Sequence, residues 1–168
     1  IIHGELSTIP ALPHNAKTTF SLALFISFAL FNDAADFMVD DKPPLLFDVT
    51  LENDLEVNIP IVYRLLKEHE TGEATDIKNI DPDAAADYIC EVLCRRGWHV
   101  IFDRHNSTSF TIETFDEIIS NLEEHYTVVA IRVDYLGVSN KRGLGNGSIG
   151  SEVREMYRWA RNIANPRK

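Results

Sequence analysis

Short apolar runs alternate along the chain with amphipathic segments, and this alternation predicts strands and helices in turn. Three runs have the length and composition of buried strands, and they lie at 45–51, 98–102 and 127–133. A run that is apolar throughout predicts a helix at 18–32. Apolar side chains that recur at helical spacing predict four more helices, which begin at Pro60 and after Asp81 and lie at 111–124 and 148–164. Strands that alternate with helices imply a mainly parallel sheet covered by helices on both faces, which is an α/β fold.

The most hydrophobic stretch, residues 18–31, is apolar on all sides of the predicted helix. It is shorter than the roughly 20 residues that a membrane span requires. A signal peptide is disfavoured because Glu5 lies upstream and no basic segment precedes the run. A helix buried under a sheet is the simpler interpretation.

Length and charge limit the remaining classes of protein. A chain of 168 residues suits a single domain over 1–168. The net charge of −10 argues against a surface that binds nucleic acid everywhere, although it leaves room for a local basic loop. Cys90 and Cys94 have no second pair with which to form a zinc site, so we expect reduced, buried thiols and a cytoplasmic location.

Residues 11–19, with the sequence A-L-P-H-N-A-K-T-T, resemble a phosphate-binding loop of the pattern G-x-x-x-x-G-K-[ST]. In such a loop, backbone N–H groups and the following helix N-terminus face phosphate oxygens, lysine contacts the β/γ-phosphates and threonine ligates Mg²⁺. Lys17 and Thr18 are in place, but Ala11 and Ala16 replace both glycines. A Cβ at Ala16 is expected to crowd the phosphate or to disfavour a strained backbone angle. From these residues alone, an ordinary loop before a core helix stays open.

Acidic residues follow all three predicted strands, at Glu52, Asp103 and Asp134. A further strand, expected within the segment up to Ile9, would lead into the phosphate-binding loop. The carboxyl ends of parallel strands meet at one edge of a sheet, which is where ligands of α/β proteins bind. Simpler roles stay open for these acids, as a helix-initiating residue, a solvated side chain or a turn residue. Arg132 interrupts the last apolar strand, where a buried charge requires a partner that the sequence does not identify.

Three segments, taken together and in order, resemble the C-terminal RecA-like ATPase domain of DnaB-type hexameric replicative DNA helicases. Residues 11–18 are similar to the A-x-P-x-x-G-K-T loop of that family, and Thr50-Leu-Glu-Asn53 is similar to its S-L-E-M strand end. Val133-Asp-Tyr-Leu136 matches its I-D-Y-L motif, and the spacing agrees over roughly residues 5–164. The divergence indicates a distant, phage-like member.

The resemblance implies a 5′→3′ helicase motor that hydrolyses ATP with Mg²⁺. Lys17 would contact the β/γ-phosphates, Thr18 and Asp134 would hold Mg²⁺, and Glu52 would activate the attacking water. The nucleotide site would comprise Pro13, His14, Asn15, Ala16, Lys17, Thr18 and Thr19. The glycine-rich segment 139–150, with Lys141 and Arg142, corresponds to the family's contact with single-stranded DNA, unless it is an inert flexible connection.

The implied partners are single-stranded DNA, five further copies of the chain in a homo-hexamer, and a primase or helicase loader. The family continues past the position of Lys168 with a sensor residue and an arginine finger, so the resemblance implies an incomplete domain with weak activity alone. Two alternatives stay open, namely a RecA/RadA-like recombinase ATPase and a degenerate nucleotide-binding module without turnover.

Overall fold

The computed structural model describes residues 6–9, 16–51, 54–134 and 149–164. In chain order its elements are α1 (Lys17–Phe31), a 3₁₀ turn (Ala34–Phe37), β1 (Pro44–Thr50), α2 (Leu55–Thr71), α3 (Pro82–Arg95), β2 (His99–Arg104), α4 (Ile112–His125), β3 (Thr127–Asp134) and α5 (Ile149–Ala164). The three strands form one parallel sheet in the order β2-β1-β3. This arrangement confirms the predicted α/β fold.

Helices cover both faces of the sheet, and each face has its own hydrophobic core. Side chains of α1, α2 and α3 pack on one face around Leu46 and Trp98. On the other face, α4 and the end of α5 pack against Leu45, Phe47 and Val49. The central strand β1 is buried along its whole length, as expected for a strand with neighbours on both edges and helices on both faces.

Several helix ends lie where their capping residues predict them. The Asp81 carboxylate accepts a hydrogen bond from Asp83 N at 3.2 Å, and the Thr111 hydroxyl accepts one from Thr114 N at the same distance. Gly97 follows α3 with a φ of 81°, the left-handed backbone that glycine adopts without strain. These local signals therefore predicted α3 and α4 correctly.

The predicted start of α2 at Pro60 is wrong, because the helix begins at Leu55 and contains Pro60. A proline inside a helix lacks the N–H that would bond to the carbonyl four residues earlier, here that of Glu56. The helix tolerates this loss, since Val62 and Leu66 on its inner face are fully buried in the core. Tertiary packing thus outweighs the local preference of proline for a first turn.

The strand expected within the segment up to Ile9 is not formed by residues 6–9, and residues 1–5 lie outside the described residues, so the expectation remains a prediction there.

The expectation of buried cysteines is wrong. Cys90 and Cys94 are exposed rather than buried, because the inner face of α3 is formed by other residues, including Ile89 and Leu93. Although Cys90 is exposed as a residue, partial desolvation of its thiol raises the pKa of that thiol, with smaller effects of Cys94 and Asp87. None of the helices in the described ranges has both the length and the apolar character needed to cross a membrane.

Candidate active site

The start of α1 and the end of β3 meet at the carboxyl edge of the sheet. Thr18 Oγ1 donates a hydrogen bond of 2.8 Å to Asp134 Oδ2, although 116 residues separate the two in sequence. Lys17 Nζ lies 3.2 Å from Asp134 Oδ1, the other oxygen of the same carboxylate. The Asp134 side chain is only 4% exposed, whereas that of Lys17 is 29% exposed. The fold therefore joins the predicted phosphate-binding residues to the predicted metal-binding acid.

The end of β1 lies beside this group. Thr50 is aligned with Asp134 across the two parallel strands, and Leu51 N donates to Asp134 O at 2.9 Å. Thr50 O in turn accepts a hydrogen bond from His105 N at 3.1 Å, which ties the end of β2 to the same edge. Glu52 directly follows Leu51 in sequence and lies outside the described residues. The chain thus reaches Glu52 from a backbone position bonded to Asp134.

Other predicted site residues are only partly placed. Thr19 lies in the first turn of α1 and is half-buried. Pro13, His14, Asn15, Lys141 and Arg142 lie outside the described residues.

Ala16, at the position of the missing glycine, adopts a left-handed backbone with a φ of 52° and a ψ of 25°. It is the N-cap residue of α1, and its carbonyl accepts a hydrogen bond from Phe20 N at 2.9 Å. Alanine in this conformation places its Cβ close to the neighbouring carbonyl, which costs roughly 1–2 kcal/mol. The usual glycine avoids that cost, so the departure from the pattern leaves strain at the start of α1.

We predict that Ala16→Gly stabilises the protein by up to about 1 kcal/mol, which raises Tm by about 2–4 °C. The gain is smaller than the relieved strain because glycine also increases the entropy of the unfolded chain. Ala23→Gly is the matched control, since the same change in the middle of α1 should destabilise by about 1 kcal/mol. Thermal unfolding measures both variants, and a Tm that falls in both would disprove strain at Ala16.

Arg132 has the partner that could not be identified from the sequence. Its guanidinium is 7% exposed and bonds to Asp48 Oδ1, on the neighbouring strand at the same register position. Its Nη2 also donates to Asp134 Oδ2 at 2.8 Å, and its Nε donates to Ser21 Oγ at 2.9 Å. A buried charge with several hydrogen bonds is tolerated where an unpaired one is not.

Asp48 is a further site residue, which was not predicted from the sequence. The available signal was one acid in the apolar run 45–51 and one base in the apolar run 127–133. Burial raises the pKa of Asp48 and Asp134 adds to this, while the Arg132 guanidinium acts in the opposite direction. Asp48 Oδ2 has no hydrogen-bond partner among the described residues. Asp48, Arg132, Asp134 and Lys17 form one cluster of two carboxylates and two cations, so the cluster is balanced in charge.

Asp103 and His105 contact each other at the same edge of the sheet. His105 Nε2 lies 2.8 Å from Asp103 Oδ2, and the His105 ring packs against Phe110 with 4.9 Å between ring centroids. The Asp103 side chain is 38% exposed. These contacts hold the loop after β2 in place, which favours a structural or solvated role for both residues over a catalytic one.

The oxygen donors at this edge fit Mg²⁺ bound together with a nucleotide. The described residues contain no group of three or more His, Cys, Asp or Glu side chains that could hold a metal by themselves. Mg²⁺ is commonly held by one or two protein carboxylates, while substrate phosphates and water complete its six ligands. The Thr18 hydroxyl and the Asp134 carboxylate supply oxygens of this kind at one point.

A family model described as divergent DnaB-like ATPase matches residues 1–168, which is the whole chain. No curated protein and no solved structure shows significant similarity to it. The match agrees with the α/β fold and with the contact between Thr18 and Asp134. The chain therefore belongs to the divergent DnaB-like ATPases, a helicase-related family that binds nucleotide.

Proposed function

We propose that the chain is the ATP-hydrolysing motor of a 5′→3′ DNA helicase, which assembles as a homo-hexamer and translocates on single-stranded DNA. The contact of Lys17 and Thr18 with Asp134 carries this proposal. It joins a cation, a hydroxyl and a carboxylate at the N-terminus of α1, where the helix dipole also favours a bound phosphate.

Phosphoryl transfer requires positioning and charge neutralisation more than covalent chemistry from the protein. Lys17 would release Asp134 and bind the β/γ-phosphates, and Thr18 and Asp134 would hold Mg²⁺. Mg²⁺ bound with the nucleotide supplies charge neutralisation at the phosphate oxygens. Glu52 would orient and activate the attacking water.

A nucleotide titration tests the proposal directly. At a concentration 100 times Kd, a ligand that binds only the folded state stabilises it by about 2.7 kcal/mol. For a domain of this size we expect ATP or ADP with Mg²⁺ to raise Tm by about 5–11 °C. If neither nucleotide changes Tm over a wide concentration range, the proposal fails.

Assembly and turnover separate the alternatives. Electron microscopy in the presence of nucleotide and single-stranded DNA should show rings, whereas filaments would support a recombinase-type ATPase. Nucleotide binding without hydrolysis in any assembly would instead support a module that has lost turnover. The strained Ala16 is the observation that makes this last alternative worth testing.

We further propose that Lys141 and Arg142 bind the phosphates of single-stranded DNA. Each phosphate neutralised on a single strand contributes about −0.7 to the slope of log K against log salt concentration. The double variant Lys141→Ala/Arg142→Ala should therefore weaken binding and flatten that slope by about 1.4, as measured by fluorescence anisotropy.

The matched control for this loop is Arg95→Ala/Arg96→Ala. It also removes two cations, but from the end of α3, directly before β2 and so at the amino edge of the sheet. It should leave the salt dependence unchanged. A slope that is insensitive to the loop variant would mean that residues 139–150 are an inert connection.

A further inference from the structure

Arg132 joins three elements beneath the proposed nucleotide site. It projects from β3, contacts Asp48 on β1 and bonds to Ser21 on α1. Ser21 Oγ itself donates to Thr18 O at 3.0 Å, so the chain of contacts returns to the start of α1. One guanidinium therefore links the strand that carries Asp134 to the helix that carries Thr18.

The two oxygens of Asp134 have different partners. Oδ1 faces Lys17, which is part-exposed, while Oδ2 accepts from both Thr18 and the buried Arg132. In the proposed function, Lys17 and Thr18 exchange Asp134 for the nucleotide and its metal. Arg132 cannot leave in the same way, because Asp48 and Ser21 hold its other nitrogens. It is the partner that stays with Asp134 throughout.

We propose that Arg132 is a positioning residue. It fixes the orientation of the Asp134 carboxylate so that Mg²⁺ increases the affinity for the nucleotide. This inference rests on the proposed function. A carboxylate without Arg132 could turn both of its oxygens toward Lys17 and compete with the phosphates for that cation. Partners that orient a metal-binding side chain typically account for about 10- to 100-fold in metal affinity.

Orientation rather than charge is the expected contribution. A lone cation beside Asp134 would repel Mg²⁺, but the Asp48 carboxylate directly behind Arg132 balances that charge. The opposing, purely structural account is that Arg132 only neutralises Asp48. The two accounts predict different Mg²⁺ dependence for a variant that lacks both members of the pair.

The test uses two variants that preserve the net charge of the cluster, Asp48→Leu/Arg132→Met and Arg132→Lys. The Kd of fluorescent mant-ADP is measured with Mg²⁺ and with EDTA. The Kd in EDTA divided by the Kd with Mg²⁺ is the Mg²⁺ factor, which states how much Mg²⁺ strengthens binding. Replacing a buried ion pair by apolar residues is often neutral for stability, so the double variant should fold, as thermal unfolding would verify. A lysine keeps the charge of Arg132, but its donors all sit on one compact ammonium, so it cannot reproduce the fixed spacing with which Nε, Nη1 and Nη2 reach Ser21, Asp48 and Asp134.

We expect both variants to lower the Mg²⁺ factor by about 10- to 100-fold while binding in EDTA changes little. Arg104→Lys is the matched control, because Arg104 is the last residue of β2 and forms an exposed ion pair with Asp54 at the same sheet edge. An unchanged Mg²⁺ factor in the folded double variant would overturn the positioning role and support neutralisation of Asp48 alone. A wild-type chain that binds no mant-ADP at all would instead overturn the proposed function, and this inference with it.

Discussion

Lys17→Ala should remove most of the stabilisation that nucleotide gives to the protein. Truncating one member of a close charged pair typically costs 2–5 kcal/mol of binding, so the affinity for ATP or ADP should fall at least about 30-fold. At the nucleotide concentration that stabilises the wild type by about 2.7 kcal/mol, the variant would gain only about 0.9 kcal/mol. The shift in Tm should therefore shrink to about a third or less.

The fold should survive this change, which makes the measurement interpretable. Asp134 keeps its hydrogen bonds from Thr18 and Arg132 when the part-exposed Lys17 is removed. Lys42→Ala is the matched control, since Lys42 lies just before β1 at the opposite edge and bonds to Glu123 O. It should retain the full nucleotide-dependent shift. Equal shifts in wild type and Lys17→Ala would separate Lys17 from phosphate binding.

Much of the architecture could be predicted because local signals and tertiary packing agree along most of the chain. The apolar runs that form β1, β2 and β3 are long enough to be strands and too short to be helices. Asp81 and Thr111 cap helices and lie directly before amphipathic segments, so the start of each helix could be predicted. Parallel pairing brings the strand ends together, and the resemblance to DnaB-type helicases added the start of α1, so Thr18 and Asp134 could be matched before any contact was known.

The missed features depend on pairings that only the folded chain defines. Asp48 and Arg132 lie 84 residues apart in sequence. Each is an unexplained charge in an apolar strand until the register of β1 against β3 shows that the two are neighbours. The start of α2 at Leu55 was missed because packing on the core outweighs the preference of Pro60 for a first turn. The exposure of Cys90 was missed because composition does not show which face of α3 meets the core.

The strain at Ala16 and the pair of Asp48 with Arg132 bear on the same site. Ala16 holds the start of α1 in a costly conformation, and Arg132 ties that start to the sheet through Ser21. A strained backbone persists only where the surrounding structure holds it in place, and the bond from Arg132 to Ser21 provides such support beside Lys17 and Thr18.

Glu52→Gln should abolish ATP hydrolysis while leaving nucleotide binding intact. An amide has nearly the same shape as a carboxylate but cannot accept the proton of the attacking water, and such catalysis contributes about 10²–10⁴-fold. Glu52 follows Leu51 in sequence, and the Leu51 N–H is bonded to the backbone carbonyl of Asp134, the proposed metal-binding acid. Phosphate release is measured on the form of the protein that turns over, including any assembly on single-stranded DNA. Glu56→Gln, the same change at an exposed position in the first turn of α2, should retain turnover. Hydrolysis that persists in Glu52→Gln at the rate of Glu56→Gln would assign the activation of water to another residue.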